Sequence, residues 1–331
     1  MTRKLELLRE REAIKLLTKI YGRQDFPLGY EDDVAAVPIS RSLWMIVKGD
    51  MLVRSTDVPL GMTLSEAGRK SIVSTVSDFA AKGVRPKALI VSIGFPRSTS
   101  KKQLSEIGRG LAEGSKEYGC PIVGGDTTES ADLVIDVAGF GNAKPGELIP
   151  RKGAQNGNIV AVTGEFGNSA AGLRMLLARK GPRRDTDSPV LEDAVRRPRA
   201  RLEEGIGLAR TRAVTSSMDS SDGLAWSLNE LAKLGRVGIE LYNVPVSMEA
   251  VEYARKHSIS PYDLALYGGE EYELVVTVKR SGWPSALKAV PSLIPIGKVT
   301  RGSGVFARIE GRRIRVEPRG WEHFGKPLRA R

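Results

Sequence analysis

Two series of alternating apolar runs and amphipathic segments constrain the fold of this chain more than any other feature. The first series ends in the polar residues 142–157, and the second begins at once with the strand-like run 158–164. Strand-like runs that alternate with helix-like segments are typical of helices packed on a mixed sheet. We therefore predict an α/β (α+β) fold of two domains, residues 1–145 and residues 146–331.

Capping signals predict where two helices of the first series begin and end. Thr63 and Glu66 have the spacing of a capping box, and Gly83 is placed to end the helix that follows. Ser100 and Gln103 repeat the same spacing before a second amphipathic segment. Both segments are therefore predicted to be long helices of the first domain.

Turn signals predict the strands around these helices. The run 42–57 is predicted to form two strands joined by a hairpin turn at 48–50. The apolar run 120–123 is predicted to be a buried strand that ends in a turn at the two glycines 124–125. A late hairpin is predicted to turn at 310–311.

Composition excludes several classes of protein. Apolar residues make up 41% and charged residues 27% of the 331, which are values of a folded globular chain. No run of eighteen apolar residues is present and the first residues are charged, so we expect a cytoplasmic protein without a membrane partner. Cys120 is the only cysteine, and His257 and His323 lack ligand-spaced partners, which argues against disulfides, zinc and histidine-based triads.

The formal net charge of +12 suits either nucleic acid or anionic small molecules. Basic clusters at 179–184, at 196–201 and in the C-terminal tail lack interleaved aromatic residues or any nucleic-acid-binding motif. We interpret them as solvated surface and predict no nucleic-acid partner. A basic scaffold that binds polyanions without catalysis remains the alternative of a different class.

Aspartates placed among Ser, Thr or Gly flank four apolar runs. They are Asp32, Asp33, Asp57, Asp126, Asp219 and Asp222. The carboxyl ends of strands are where ligands gather in open α/β sheets, so these carboxylates are candidates for one site. Carboxylates that converge repel each other, and divalent cations relieve that repulsion. Oxygen ligands without His or Cys favour Mg²⁺, which typically arrives with nucleotide phosphates.

Asp78 lies in the last turns of the helix that Thr63 caps, where the helix dipole disfavours a carboxylate. A positive group is expected to offset it. A solvated side chain, or an ion pair with Lys82 at i+4, is the simpler interpretation.

Familiar phosphate-binding motifs are absent, since the chain has neither a Walker loop nor the motifs of protein kinases. The glycine-bearing segment 163–172 precedes a predicted helix. It could hold an anion at the helix N-terminus, although a plain strand-to-helix turn explains it equally well.

With these residues in view, the chain resembles the thiamine-monophosphate kinase family, which is related to aminoimidazole ribonucleotide synthetase. The similar motifs run in family order and include "EDDVAAV", "VSDFAAKGVRP", "GGDTT", "TGEFGNSAAGL", "DSSDGL" and "GGEEYEL". The resemblance implies an N-terminal domain whose four-stranded sheet pairs with that of a second copy into a barrel, as a homodimer. It further implies ATP bound between the two domains, Mg²⁺ as cofactor, and phosphorylation of thiamine monophosphate to the diphosphate.

The resemblance also assigns roles to individual residues. The implied magnesium ligands are Asp33, Ser55, Thr56, Asp57, Asp78, Asp126, Asp219 and Asp222. The implied nucleotide contacts are Gly125, Asp126, Arg151 and Ser221, and the implied acceptor contacts are Glu270 and Trp321. Asp126, Arg151 and Asp219 are the implied catalytic residues, which act by neutralising charge in a direct in-line transfer.

Two departures from the family pattern concern the acceptor. Leu64 occupies the place aligned with a family histidine, and Glu271 replaces the usual aspartate. A related kinase that phosphorylates a different acceptor therefore remains an alternative. The chain lacks the cysteines that related dehydratases and selenophosphate synthetases require, which argues against those two reactions.

Overall fold

Two mixed β-sheets with helices packed against them form the computed structural model, which describes residues 9–22, 25–178 and 188–321. The strands of the first sheet are β1 Ala35–Ser40, β2 Leu43–Val53, β3 Pro86–Phe95, β4 Ile122–Glu129 and β5 Val134–Ala143. Those of the second are β6 Ile159–Val162, β7 Val214–Asp219, β8 Gly238–Leu241, β9 Leu274–Val278, β10 Ile294–Thr300, β11 Gly304–Ile309 and β12 Arg312–Arg315. The predicted α/β class is confirmed.

Helices connect and cover these strands. They are α1 Glu10–Tyr21, α2 Arg54–Asp57, α3 Leu64–Lys82, α4 Lys101–Tyr118, α5 Asn168–Ala178, α6 Pro189–Arg196, α7 Leu202–Thr211, α8 Leu224–Gly235, α9 Met248–His257, α10 Pro261–Tyr267 and α11 Trp283–Ala289. None of the helices in the described ranges is both long enough and apolar enough to cross a bilayer.

The first sheet has the strand order β1-β2-β5-β3-β4. It contains five strands, one more than the four that the resemblance implies, because β4 adds to the sheet by pairing in parallel with β3. The second sheet has the order β12-β11-β8-β10-β6-β9-β7. Its last hairpin turns at Glu310 and Gly311, both with positive φ, as predicted.

The predicted hairpin at 48–50 is wrong. β2 continues straight through these residues, and Lys48, Gly49 and Asp50 pair in register with residues of β5. The turn lies earlier, between β1 and β2 at residues 41–42. β2 stays extended through these residues because it pairs with β5 on one side and with β1 on the other. The local sequence does not reveal either partner.

The predicted turn after the run 120–123 is also wrong. β4 runs through Gly124 and Gly125 to Glu129, and all eight of its residues are exposed in this single chain. Gly125 is required for close approach, because a Cβ there would lie 1.7 Å from the carbonyl oxygen of Val91 on β3. Cys120, just before the strand, is fully buried as predicted.

Helix α3 is the central element of the first half, and its predicted boundaries are confirmed. Thr63 and Glu66 make both hydrogen bonds of the capping box, and Gly83 adopts the left-handed conformation at the C-terminus. Small residues allow other helices to approach it closely. A Cβ on Gly205 of α7 would lie only 2.0 Å from the carbonyl oxygen of Ala80.

The largest hydrophobic core is shared between the two sheets. It joins Val76 of α3 and Val137 of β5 to Leu274 and Val276 of β9. Helix α3 therefore packs against both halves of the chain. The division at residues 145 and 146 stays a prediction, and it falls in the segment between the last strand of one sheet and the first strand of the other.

The basic cluster 196–201 is not simply solvated surface, because two of its arginines make ion pairs within the protein. Arg196 pairs with Glu66 and Glu192, and Arg201 pairs with Glu273. These ion pairs join the segment before α7 to helix α3 and to the second sheet. The cluster 179–184 and the C-terminal tail lie outside the described residues.

Candidate active site

Three aspartates converge at the junction of the two sheets. Asp33 precedes β1, Asp78 lies on α3, and Asp219 ends β7. Each offers a carboxylate oxygen within 4.8 Å of the others, and all three are buried. Acids from distant parts of the chain therefore face one another, although their role as metal ligands stays a prediction.

Asp33 is paired with two cations. Arg151 donates from Nε to one carboxylate oxygen at 2.7 Å, and Lys82 Nζ lies 2.6 Å from the other. Burial raises the pKa of Asp33, but the two cations outweigh it and hold the pKa at about 2. This carboxylate is charged and held in place by the protein itself.

Lys82 is fully buried and uses its ammonium group to join the two halves. It lies 2.6 Å from an Asp32 oxygen and donates to the carbonyl oxygen of Ser217 on β7 at 2.8 Å. The suggested i+4 pair between Lys82 and Asp78 is therefore wrong. Lys82 is directed at Asp32 and Asp33 instead.

Asp78 has a different positive partner. Lys48 of β2 places its ammonium nitrogen 2.9 Å from an Asp78 oxygen. Burial nevertheless raises the pKa of Asp78 well above its usual range, and the nearby Asp219, Asp50 and Asp33 add to the rise. The cation expected beside the C-terminal end of the helix is present, but Lys48 does not offset the combined effect of burial and the neighbouring acids on Asp78.

Asp219 and Asp222 lie at the side of the site with fewer cations. Burial raises the pKa of Asp219 to about 6, with Asp33 adding to the rise and a 2.7 Å hydrogen bond from Ser77 opposing it. Burial raises the pKa of Asp222 to about 7. Its cation is Arg11 of α1, at 3.8 Å, which also stacks on the Trp226 ring.

Sequence reasoning missed Asp50 because it assigned that residue to a turn. In the structure Asp50 lies on β2, two residues from Lys48 and thus on the same face of the strand. Its charge raises the pKa of Asp78, as noted above, which indicates that it faces the same site. The i, i+2 spacing of Lys48 and Asp50 was the available signal.

The segment Ser55, Thr56 and Asp57 is not part of the group of three converging aspartates. It forms the short helix α2, where the Asp57 carboxylate accepts a 2.7 Å hydrogen bond from the Val53 amide. Asp126 and Gly125 lie on exposed β4 and are likewise outside the group of three. Among the described residues, three of the predicted ligands thus lie within 4.8 Å of one another, and the roles of the others stay predictions.

The predicted acceptor residues lie close to the predicted nucleotide residue Ser221. Glu270 adopts a left-handed conformation, with φ of 62°, and its amide donates to the Ser221 carbonyl oxygen at 2.7 Å. The Trp321 amide donates to the carbonyl oxygen of Asp222 at 3.0 Å. Burial raises the pKa of Tyr272 well above its usual range, and Glu270, Asp50, Asp219 and Asp57 contribute to the rise. All four carboxylates are therefore close enough to Tyr272 to affect its hydroxyl group.

The N-terminus of α5 is occupied by the protein's own Glu271. Its carboxylate accepts hydrogen bonds from the amides of Gly167 at 2.7 Å and Ser169 at 3.1 Å. Burial raises the pKa of Glu271 to about 8, against the effect of these two donors. Segment 163–172 is therefore a strand-to-helix turn, and its suggested anion site is filled by a side chain.

The donor set fits Mg²⁺. Oxygen is the only ligand atom that the grouped aspartates offer, and the described part of the site contains no histidine or cysteine. The acids that face it outnumber the cations Lys48, Lys82 and Arg151, so a divalent cation would relieve repulsion. The residues that could hold it are Asp33, Asp50, Asp78, Asp219 and Asp222.

The sequence of this chain is similar to those of known kinases over nearly its whole length. Residues 31–143 match the family model described as AIR synthase related protein, N-terminal domain. Thiamine-monophosphate kinase of Nitrosopumilus maritimus is 37% identical over 321 residues, which cover 96% of this chain and 99% of that protein. The chain belongs to the thiamine-monophosphate kinase family.

Solved structures show the same similarity across nearly the whole chain. A structure described as AaThiL complexed with AMPPCP and TMP superposes with a TM-score of 0.84 at 30% identity, and covers 98% of this chain and 99% of that one. Thiamine monophosphate kinase from Aquifex aeolicus superposes with a TM-score of 0.79 at 28% identity, and covers 94% and 99%. The similarity therefore includes both sheets and the region between them.

Proposed function

We propose that this protein transfers the γ-phosphoryl group of ATP to thiamine monophosphate, giving thiamine diphosphate and ADP. The observation that carries the proposal is the buried group of Asp33, Asp78 and Asp219, which is assembled from both halves of a kinase-family chain. A related structure with an ATP analogue and TMP bound supports the choice of substrates. The activity is that of a phosphotransferase with a phosphate group as acceptor.

The reaction joins two anions, so charge neutralisation and alignment are its main demands. An oxygen of the acceptor phosphate forms a bond to the γ-phosphorus, while the bond from that phosphorus to the β–γ bridging oxygen breaks. The acceptor phosphate is ionised at neutral pH and needs no strong general base. Mg²⁺ held by the aspartates would neutralise phosphate charge during this exchange.

The residues of this chain prepare the site for these substrates. Lys82 and Arg151 hold the Asp33 carboxylate in one orientation, and Lys48 does the same for Asp78. In the proposal, Arg151 and Ser221 contact the nucleotide. Glu270 and the Trp321 ring receive the thiazolium, a permanent cation suited to a carboxylate and an aromatic face.

The exposed strand β4 supports a homodimer. An edge strand whose eight residues all face solvent is open to pairing with another chain, and it carries Gly125 and Asp126. In the proposal, a second copy covers β4 and so completes the surroundings of these two residues. We place the reaction in the cytoplasm, where ATP is available, with residues 1–145 and 146–331 acting as two domains around the nucleotide.

The decisive experiment is incubation of the full-length protein with Mg²⁺, ATP and thiamine monophosphate, with the products separated by chromatography. We expect thiamine diphosphate and ADP in equal amounts, and neither when Mg²⁺ is chelated. Unphosphorylated thiamine and pyridoxal phosphate serve as alternative acceptors in parallel. If ATP is consumed only with another phosphorylated acceptor, the protein is still a kinase but thiamine monophosphate is not its substrate.

A further inference from the structure

Lys70 is a buried cation that the proposed reaction leaves without a role. It lies on α3, and its side chain is only 3% exposed. Its ammonium nitrogen is 2.5 Å from a Glu270 carboxylate oxygen and donates to the main-chain oxygen of Asp57 at 2.9 Å. Both partners belong to segments that the sequence assigns to the site.

A buried ammonium group is costly unless its charge and its donors are satisfied. Lys70 meets this requirement through the Asp57 carbonyl oxygen and through Glu270, which reaches helix α3 from the second half of the chain. The position of Glu270 is constrained at its backbone as well. Its left-handed conformation is unfavourable for a non-glycine residue, and the hydrogen bond to Ser221 helps to hold it.

The surroundings of Glu270 explain why it needs a cation. The Glu270 amide is bonded to Ser221, two residues from the buried Asp219, and the charges of Glu270, Asp50, Asp57 and Asp219 all raise the pKa of the buried Tyr272. Without Lys70, the carboxylate of Glu270 would be repelled by these acids. It is 30% exposed, so its side chain could turn away toward solvent.

We propose that Lys70 is a positioning residue for the phosphate acceptor, an inference that rests on the proposed function. Lys70 orients the Glu270 carboxylate and fixes the end of α2, so that the cationic ring of the acceptor meets a preorganised site. It acts through Glu270 and Asp57 rather than by contact with ATP. Loss of Lys70 therefore weakens acceptor binding selectively.

Helix α3 provides a matched control in the adjacent residue. Arg69 is also buried, with a 2% exposed side chain, and it pairs with Glu117 and with the carbonyl oxygen of Pro198. It makes none of its described contacts with the candidate site. R69M therefore removes a buried ion pair from the same helix without changing the acceptor region.

The test compares the wild-type protein with K70M, R69M, E270Q and the double variant K70M/E270Q. We expect K70M to raise the KM for thiamine monophosphate about tenfold or more, with the KM for ATP changed less than about twofold. R69M should lower thermal stability comparably and leave both KM values near those of the wild type. K70M/E270Q should resemble E270Q alone, because Lys70 acts through that carboxylate.

Three outcomes would overturn the inference. They are equal increases in KM for ATP and for the acceptor in K70M, the same kinetic change in R69M, and strictly additive effects in the double variant. If K70M does not fold, K70R keeps the charge, and a selective rise in acceptor KM is then expected in K70R and E270Q. No thiamine diphosphate from the wild-type protein would overturn the proposed function as well, whereas product formation with an unselective K70M overturns the inference alone.

Discussion

The two ends of the acidic site differ in how their charge is balanced. At the paired end, Asp32 and Asp33 lie against Lys82 and Arg151, and the pKa of Asp33 is held at about 2. At the open end, burial raises the pKa of Asp219 to about 6 and that of Asp222 to about 7. The paired end is stabilised by cations of the chain itself, whereas the open end is where we expect the proposed Mg²⁺ to act.

The largest expected effect is on the paired end. D33N leaves Lys82 and Arg151 buried beside a neutral amide, and we expect the free energy of unfolding to fall by about 3–5 kcal/mol. Denaturant unfolding of the metal-free protein measures this change. A loss below about 1 kcal/mol would show that the paired end does not stabilise the fold.

Magnesium should act mainly on the open end. Added Mg²⁺ should stabilise the wild-type protein by about 2.7 kcal/mol at one hundred times its dissociation constant, because it binds only the folded site. Thermal unfolding at constant ionic strength measures this. E252Q, which removes an exposed acid from α9, should respond like the wild type, while D219N should lose most of the response. Equal responses in D219N and E252Q would contradict the comparison.

Glu271 extends the comparison to an acid that makes no ion pair with a cation in the part of the chain that the structure describes. Its pKa is raised from 4.5 to about 8, so its contribution to stability is complete below pH 4.5 and is lost as the pH rises through 8. We expect the wild type to have lost about 2 kcal/mol by pH 6 relative to E271Q, and to lose more as the pH rises toward 8, because each pH unit in this window costs about 1.4 kcal/mol. The amide oxygen of E271Q can still accept from Gly167 and Ser169. Unfolding curves at several pH values test this, and parallel pH profiles would refute it.

The smallest expected effect is a gain in stability at the open end. D219N removes one of several repelling carboxylates, so the metal-free protein should become about 1 kcal/mol more stable although it cannot bind Mg²⁺ normally. Chemical denaturation in the presence of a chelator measures the gain. Destabilisation similar to that of D33N would mean that the two ends do not differ.

Local signals in the sequence were sufficient for some elements and misleading for others. The capping residues Thr63 and Ser100 predicted the starts of α3 and α4 correctly, because a cap depends on neighbours within one turn. Gly49 and Gly125 predict turns but lie in strands, because pairing with distant strands determines their conformation. The wrong turn at Gly49 is also why the local sequence does not predict the neighbouring Asp50 as a site residue.

The candidate site was predictable only in part for the same reason. The resemblance to the family, which the comparisons confirm, predicts the three aspartates that converge in the structure, Asp33, Asp78 and Asp219. It did not indicate Lys48 or Lys82, since each pairs with acids from another element. Ion pairs across elements depend on the final packing, which no local pattern encodes.

Helix α3 carries Lys70, Asp78 and Lys82 on one continuous backbone. Lys70 and Lys82 are twelve residues apart, which corresponds to about 18 Å along the axis. Lys70 contacts Glu270 of the proposed acceptor region, and Lys82 contacts Asp33 at the paired end. A single inserted or deleted residue between them would rotate one group by about 100° relative to the other. We therefore expect related proteins that keep the function to tolerate insertions and deletions in the surrounding loops, but not between these two lysines of α3.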